Sequence, residues 1–141
     1  MATTTVDLEK QLSQFGLGEG WKWDKGSWWL ESTEPVDVRA FTQKVLALEA
    51  RFVAITATER PDHEISLNYQ WDLNGNLLSL VVPTQEKKVA SIVDLSPAAD
   101  WCERETYEYF SVEFTGRGTM EPLMLRVGQE VGVNLRKEAV Q

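Results

Sequence analysis

The sequence has very few of the side chains that bind metals or carry out covalent chemistry. It contains one cysteine, Cys102, and one histidine, His63. A single cysteine forms no intrachain disulfide, which favours a reducing compartment, and it does not supply the four thiolates of an iron–sulfur cluster. His63 lies in a polar turn, and a general-base role would need a cleft and an orienting group, which the sequence gives no ground to assign. We therefore expect no catalytic residue, no metal site and no cofactor in this chain.

Long apolar runs and an excess of basic residues are also missing. The longest apolar stretch, residues 77–82, has the length of a strand and falls far short of the roughly 20 residues that span a bilayer. The 14 Lys and Arg residues are outnumbered by 22 Asp and Glu residues, so the net charge is −8. This charge disfavours binding to nucleic acid or to anionic lipid. Residues 1–10 do not resemble a secretory signal, and we expect contact with a membrane only through partner proteins.

The densest mixture of charged and aromatic residues lies at 94–114, DLSPAADWCERETYEYFSVEF. Ser96 is a favoured N-cap and Pro97 is tolerated at the first helical position, so the pattern predicts a helix over residues 98–109. Helical spacing places five residues on one face, which we expect to be buried. They are Ala98, Trp101, Cys102, Glu105 and Tyr109.

The charges of this helix allow more than one interpretation. Asp100, Arg104 and Glu108 have i, i+4 spacing, so Arg104 can pair with both acids, either on a solvated face or in a docking element. Glu105, between aromatic neighbours, would need a backbone N–H, an arginine or another protein as its partner if it is buried. Glu103, Glu105 and Glu108 are spaced as charges around an arginine, which favours a structural or interface role over acid–base catalysis.

The run DWCERETYEYFSVEF resembles the signature of the 30-kDa subunit family of respiratory NADH:quinone oxidoreductase, which has relatives in membrane-bound energy-converting hydrogenases. The matching positions are Ala99, Trp101, Glu103, Arg104, Glu105, Tyr107, Phe110, Val112 and Phe114. The family usually has Asp in place of Glu108, Gly in place of Ser111, and Gly-His-Pro where this chain has Gly116-Arg117-Gly118. The resemblance covers roughly residues 28–114 and is strongest from Ser91 onward.

The resemblance implies an accessory subunit without a cofactor, peripheral to the inner, cytoplasmic face of the cell membrane. Such a subunit packs against the large catalytic subunit and near the small iron–sulfur subunit of a redox complex, and has no expected enzyme activity alone. The departures and the short length favour the hydrogenase-type complex. On this interpretation one set of residues forms an interface or structural network: Trp101, Glu103, Arg104, Glu105, Tyr107, Glu108 and Phe110.

Four tryptophans fall within nine residues: Trp21, Trp23, Trp28 and Trp29. They flank the Gly-containing turn at 24–26, which predicts a β-hairpin with Trp28 and Trp29 on opposite faces. Tryptophan is enriched at binding hot spots. The four residues are compatible with a docking surface, a part of the core, a mixture of the two, or a sugar or quinone site. A free-standing binding domain built on this hairpin is therefore the alternative function.

The remaining patterns describe one domain over residues 1–141, with a short tail from residue 115. They predict helices at 6–15, with Leu8, Leu12 and Phe15 on one side, and at 36–50. They predict strands at 51–59, 64–73, 77–82 and 89–93, with a hairpin turn at Asn74-Gly75. Hairpin-linked strands beside separate helices are typical of an α+β two-layer sandwich. The family resemblance adds a mixed sheet with the helices on one face.

Overall fold

The computed structural model describes residues 5–14 and 16–133. Over these residues the helices are α1 (Thr5–Gln14), α2 (Val38–Ala47) and α3 (Asp100–Phe110), and a 3-10 turn (Pro97–Ala99) precedes α3. The strands are β1 (Lys22–Asp24), β2 (Ser27–Glu31), β3 (Arg51–Glu59), β4 (Ile65–Leu73), β5 (Asn76–Pro83), β6 (Lys88–Ala90) and β7 (Glu113–Thr115). No helix within this described part is long and apolar enough to cross a membrane. Phe15, which is predicted to lie on the same side of the first helix as Leu8 and Leu12, is outside the described residues.

Five strands form a mixed sheet in the order β1-β2-β5-β4-β3. β2 and β5 pair in parallel, and the other neighbours are antiparallel. The turn between β4 and β5 confirms the predicted hairpin. Asn74 and Gly75 have φ angles of 52° and 85°, the positive values that a tight primed turn requires.

One face of the sheet is apolar and carries the helices. Along β4 the side chains alternate between buried and partly buried, so that Tyr69 and Trp71 face the core while Asn68 and Gln70 face the other way. The ring of Phe41 in α2 lies 5.1 Å from that of Trp71, which in turn stacks on Tyr69 at 5.8 Å. The residues around α3 belong to the same buried cluster. The predicted α+β sandwich with a mixed sheet and helices on one face is confirmed.

Three predicted elements have different bounds. The helix expected at 36–50 is the shorter α2. It begins after Asp37, which caps it by accepting a hydrogen bond from the N–H of Ala40, and it ends before Glu49, whose φ is 62°. The strand expected at 89–93 is β6, which starts and ends earlier. Similarly, Ser96 makes no capping side-chain bond before α3, so the chain enters this helix through the 3-10 turn.

A small parallel sheet holds α3 in place. β6 pairs with β7, and the connection between them runs through α3, as a parallel pair requires a crossover. The N–H of Ser91 donates to the carbonyl of Thr115 at 2.8 Å. The loop before α3 and the chain after β7 therefore meet beside the first turns of the helix, where Arg117 reaches Asp100 and Glu103.

Candidate functional site

Helix α3 turns a different face to the core from the one that spacing predicts. Trp101 is 70% exposed, and Ala98 and Glu105 are also exposed, so the prediction of a buried Trp101–Glu105 face is wrong. Glu103, with 0% exposure, and Thr106 are buried instead. The physical reason is that distant parts of the chain supply hydrogen bonds to Glu103, which offset the cost of removing its carboxylate from water.

The carboxylate of Glu103 is bound by the loop that precedes α3. The hydroxyl of Ser91 donates to it and lies 2.5 and 3.0 Å from its two oxygens, and the N–H of Ile92 donates at 3.2 Å. The guanidinium Nη1 of Arg117 lies 3.7 Å from Oε1. Burial raises the pKa of Glu103 above the ordinary 4.5, while these donors and Arg117 oppose the rise.

Arg117 is the cation at the centre of this cluster. Its side chain is 12% exposed, and its Nη2 donates to Oδ1 of Asp100 at 2.5 Å. The hydrogen bond from Arg117 holds the pKa of Asp100 below its usual range, with a weaker contribution from Arg104, although partial burial opposes it. Arg117 thus lies between Asp100 and Glu103 and partly neutralises both.

Arg104 connects α3 to the chain that follows β7, which we call the covering segment (residues 116–133). Its guanidinium donates to the backbone carbonyls of Glu121 at 3.2 Å and Pro122 at 3.0 Å. Arg104 also lies 3.4 Å from Asp100, as the i, i+4 spacing predicts. The arginine is therefore used within the chain, mainly to hold backbone.

Glu108 binds the next part of the covering segment. Its carboxylate accepts hydrogen bonds from three consecutive backbone N–H groups, those of Leu123 at 2.5 Å, Met124 at 2.9 Å and Leu125 at 3.3 Å. Successive N–H groups converging on one anion form a strong binding site for negative charge. Burial alone would raise the pKa of Glu108, but the three donors together outweigh it, and the pKa is lowered.

The covering segment returns to α3 at its end. The N–H of Gly132 donates to the carbonyl of Glu108 at 2.8 Å. Gly132 has a φ of 77°, and a Cβ added there would collide with the side chain of Ser111. Ser111 itself ends α3 in the left-handed region with a φ of 57°. The covering segment is therefore held at both ends of its path over the helix.

A second ion pair fixes the loop before α3 to α2. Arg39 donates two hydrogen bonds to Asp94, at 2.6 and 2.8 Å, and a third to the carbonyl of Ser91 at 2.7 Å. This bidentate contact lowers the pKa of Asp94. Since Ser91 also binds Glu103, the contact connects α2 to the buried carboxylate.

The structure brings together only some of the residues predicted for a network. Glu103, Arg104 and Glu108 belong to it, while Trp101 and Glu105 lie on the outside of α3. Tyr107 and Phe110 are partly buried. Sequence reasoning missed Arg117 and the backbone of 121–125, because glycines flank Arg117 in an apparent turn and backbone donors have no sequence pattern. The interface role of the predicted set stays a prediction.

The four tryptophans of the hairpin do not form one surface. Trp21 and Trp28 are core residues. Trp23 is 50% exposed and packs edge-on against Trp28, with the rings 5.5 Å apart. Trp29 is on the opposite face, as alternation predicts, and its Nε1 donates to the carbonyl of Asp24 at 3.3 Å. Two of the four predicted docking residues therefore lack an exposed surface.

Residues 31–141 match the protein family described as "Respiratory-chain NADH dehydrogenase, 30 Kd subunit". The match includes all of α3, β7 and the covering segment. This chain belongs to that family. Its Glu103 and Arg104, which are among the residues that carried the resemblance in the sequence, help to bind α3 to the chain on either side of it. Within the described residues of this family member, no three His, Cys, Asp or Glu side chains are grouped so that they could hold a metal ion.

Sequence relatives of this 30 Kd-family chain are named as a subunit of NADH-quinone oxidoreductase. The protein of Rhodopseudomonas palustris (strain BisB18) is 29% identical over 120 residues, which are 77% of this chain and 60% of the relative. The protein of Methylobacterium radiotolerans is 34% identical over 92 residues, 62% of this chain and 42% of the relative. The chain therefore spans about half the length of these curated relatives.

Two solved structures share the fold of this 30 Kd-family chain. A chain in the structure of the membrane-bound sulfane sulfur reductase, an archaeal respiratory membrane complex, superimposes with a TM-score of 0.68 at 21% identity. The alignment covers 85% of this chain and 75% of that one. The trypsin-resistant fragment of Nqo5 superimposes with a TM-score of 0.61 at 20% identity, covering 79% of this chain and 98% of the fragment.

Because the pKa values of Glu103 and Glu108 are shifted in opposite directions, we expect the free energy of unfolding to change with pH in two ranges, which we call pH windows. The pKa of Glu103 is raised above 4.5, so above that pH the folded state holds the proton that the unfolded state has lost. The free energy of unfolding then falls as the pH rises toward the folded-state pKa. The pKa of Glu108 is lowered below 4.5, so its stabilisation is present above that pH and is lost as the pH falls toward the folded-state pKa.

We expect Glu103→Gln to remove the first window and leave the second. Glutamine has nearly the same shape and does not ionise, so the decline in stability above pH 4.5 should flatten. Urea unfolding at a series of pH values from about 3 to about 8 measures the slope in both proteins. An unchanged slope above pH 4.5 would contradict the assignment of that window to Glu103.

Proposed function

We propose that this chain is a structural subunit, without a cofactor of its own, of a membrane-bound redox complex of either the NADH:quinone oxidoreductase type or the energy-converting hydrogenase type. In this proposal it holds a large catalytic subunit and a small iron–sulfur subunit in place on the cytoplasmic side of the membrane. The family match over residues 31–141 carries the proposal. Two findings support it. Sequence relatives are named as subunits of the oxidoreductase, and one chain of the archaeal respiratory complex has the same fold.

The contacts that the buried carboxylates of α3 make within the chain support a structural role rather than a catalytic one. Glu103 is fully buried among donors from the chain, and Glu108 is occupied by three backbone N–H groups. A general acid or base has to reach its substrate within hydrogen-bonding distance. Carboxylates enclosed in this way suit a structural role, in which they hold Arg117 and the backbone of residues 123–125 against α3.

The type of complex is a finer part of the proposal. Ser111 and the Gly116-Arg117-Gly118 turn depart from the respiratory signature. These features favour a complex of the energy-converting hydrogenase type. The identity of the large subunit that accompanies the chain distinguishes this complex from a respiratory one.

Affinity purification from native membranes tests the proposed function. A tagged copy of the full chain is expressed in its own cells, the membranes are solubilised in mild detergent, and the recovered proteins are identified by mass spectrometry. Cells with an untagged copy provide the control. We expect a large catalytic subunit and a small iron–sulfur subunit in amounts comparable to the tagged chain. Recovery of the tagged chain without any oxidoreductase subunit would contradict the proposal.

The hairpin supports a second candidate, a free-standing binding domain. Trp29 borders an open cavity of about 700 Å³ that is lined also by Lys22, Asp24, Lys25 and Glu31. A planar or sugar ligand stacking on Trp29 would change the tryptophan fluorescence of the isolated protein. Titration with a water-soluble quinone and with an oligosaccharide decides between the candidates, because a saturable change favours the binding domain and a flat response favours the structural subunit.

A further inference from the structure

The outward side of α3 and the covering segment together present apolar side chains to solvent. Trp101 is 70% exposed and Met124 is 63% exposed. Trp101, Glu105 and Tyr109 are spaced at i, i+4 and i+8 and lie along one side of the helix. The hydroxyl of Tyr109 lies 3.6 Å from the sulfur of Met124. We call these four residues the outer face of α3.

The distribution of residues on α3 is inverted relative to an ordinary surface helix. The helix buries two carboxylates, those of Glu103 and Glu108, and exposes an indole ring. Surface helices of isolated proteins place apolar residues toward the core and charged residues toward water. Large exposed apolar side chains that are grouped together mark sites of protein association.

The backbone beneath the outer face is already fixed. Glu108 binds the N–H groups of residues 123–125, and Arg104 binds the carbonyls of residues 121 and 122. Met124 is therefore held beside α3 without the help of a partner. A surface that is ordered before association loses little conformational entropy when a partner binds.

The charge of the outer face is negative. Glu105 is exposed one helical turn from Trp101 and, among the described residues, makes no ion pair. The nearby cations are occupied, because Arg104 binds Asp100 and backbone carbonyls and Arg117 binds Asp100 and Glu103. The whole chain also carries a net charge of −8. A carboxylate beside an aromatic ring attracts a cation that lies on the ring and pairs with the acid.

We propose that the outer face of α3 is the docking surface for a partner-subunit segment in which an arginine or lysine is set between apolar side chains. The cation pairs with Glu105 over the ring of Trp101, and the apolar neighbours pack on Tyr109 and Met124. This inference rests on the proposed function as a subunit, and adds which surface docks and what chemistry it recognises.

Two variants of the full chain test the surface, each with a matched control. Trp101→Ala removes the exposed ring, and Trp23→Ala removes a second exposed tryptophan from the hairpin. Glu105→Lys reverses the charge on the outer face, and Glu9→Lys makes the same change on the exposed side of α1. We expect Trp101→Ala and Glu105→Lys each to lower the recovery of oxidoreductase subunits from native membranes at least about tenfold. The two controls should leave recovery within about twofold. Circular dichroism should show the same unfolding midpoint for Trp101→Ala, Glu105→Lys and Glu9→Lys, and a slightly lower midpoint for Trp23→Ala, which also loses the ring contact with Trp28.

Photo-crosslinking identifies the chemistry of the partner. A benzophenone side chain placed at position 101 of the tagged chain is irradiated in solubilised membranes, and the crosslinked peptide is sequenced. We expect a peptide from a partner subunit that contains Arg or Lys next to apolar residues. A crosslink to an acidic peptide, or to this chain alone, would overturn the inference.

The outcomes separate the inference from the function on which it rests. If the unaltered chain recovers no oxidoreductase subunit, both are overturned. If it recovers them and Trp101→Ala and Glu105→Lys recover them equally well, the outer face is not the docking surface, while the proposed function stands. Loss of recovery with Trp23→Ala alone would also overturn the inference and would move the docking surface to the hairpin.

Discussion

Replacement of Arg117 with Ala is expected to lower the free energy of unfolding by about 3–5 kcal/mol, the usual cost of removing one partner from a buried ion pair. Arg117 is the cation between the fully buried Glu103 and the partly buried Asp100. Without it, Glu103 keeps its hydrogen bonds from residues 91 and 92 but loses its opposite charge. Chemical denaturation at neutral pH measures the loss.

Two further variants test whether the loss of stability comes from the contact between Arg117 and Glu103. Arg126→Ala removes an exposed arginine of the same covering segment and should change stability by no more than about 0.5 kcal/mol. The double variant Arg117→Ala/Glu103→Gln removes both the cation and its buried anion, so it should recover part of the loss. Additive effects in the double variant would mean that Arg117 and Glu103 do not interact, and a loss below about 1 kcal/mol for Arg117→Ala would mean that Arg117 is not a buried partner.

Replacement of Glu108 with Gln is expected to release the covering segment, with a loss of about 2 kcal/mol in the free energy of its attachment to α3. The carboxylate accepts from three N–H groups on its two oxygens. A glutamine has one acceptor oxygen, and its NH₂ group would point at N–H donors. Amide hydrogen exchange at residues 123–125 should accelerate by roughly 30-fold, the equivalent of that free energy.

The matched control for this result is Glu130→Gln, which makes the same change at an exposed position in the covering segment. It should leave exchange at residues 123–125 unchanged. Since Met124 belongs to the outer face of α3, Glu108→Gln should also lower the recovery of oxidoreductase subunits while Trp101 remains in place. Unchanged exchange in Glu108→Gln would show that the segment is held by other contacts.

Much of the fold could be predicted because it depends on local patterns. The alternation in β4 and the Asn74-Gly75 turn specify a half-buried hairpin, and both are present as predicted. The tryptophan hairpin was also recognisable, with Trp28 and Trp29 on opposite faces. These features require only neighbours within a few residues, so their physical causes are contained in short stretches of sequence.

The rotation of α3 could not be predicted in the same way. Spacing grouped Trp101 with Glu105 and Tyr109 as an amphipathic face, and hydrophobicity favoured burying it. The structure buries Glu103 instead, because its carboxylate has partners from two other parts of the chain. Ser91 and Ile92 precede α3 and donate hydrogen bonds to it, and Arg117 follows α3 and supplies the opposite charge. An unpaired carboxylate would be too costly to bury, and the sequence does not show which acid has partners.

The sequence by itself determined the class of the molecule: an acidic α+β domain, poor in metal ligands, whose charged helix has the signature of the 30 Kd subunit family. Only the tertiary structure decided what that helix does with its charges. Glu103, Arg104 and Glu108 hold the chain on either side of α3, and Trp101 and Glu105 remain outside. The reason is that propensity and spacing act along the chain, whereas the free energy of a buried charge depends on donors brought to it by folding.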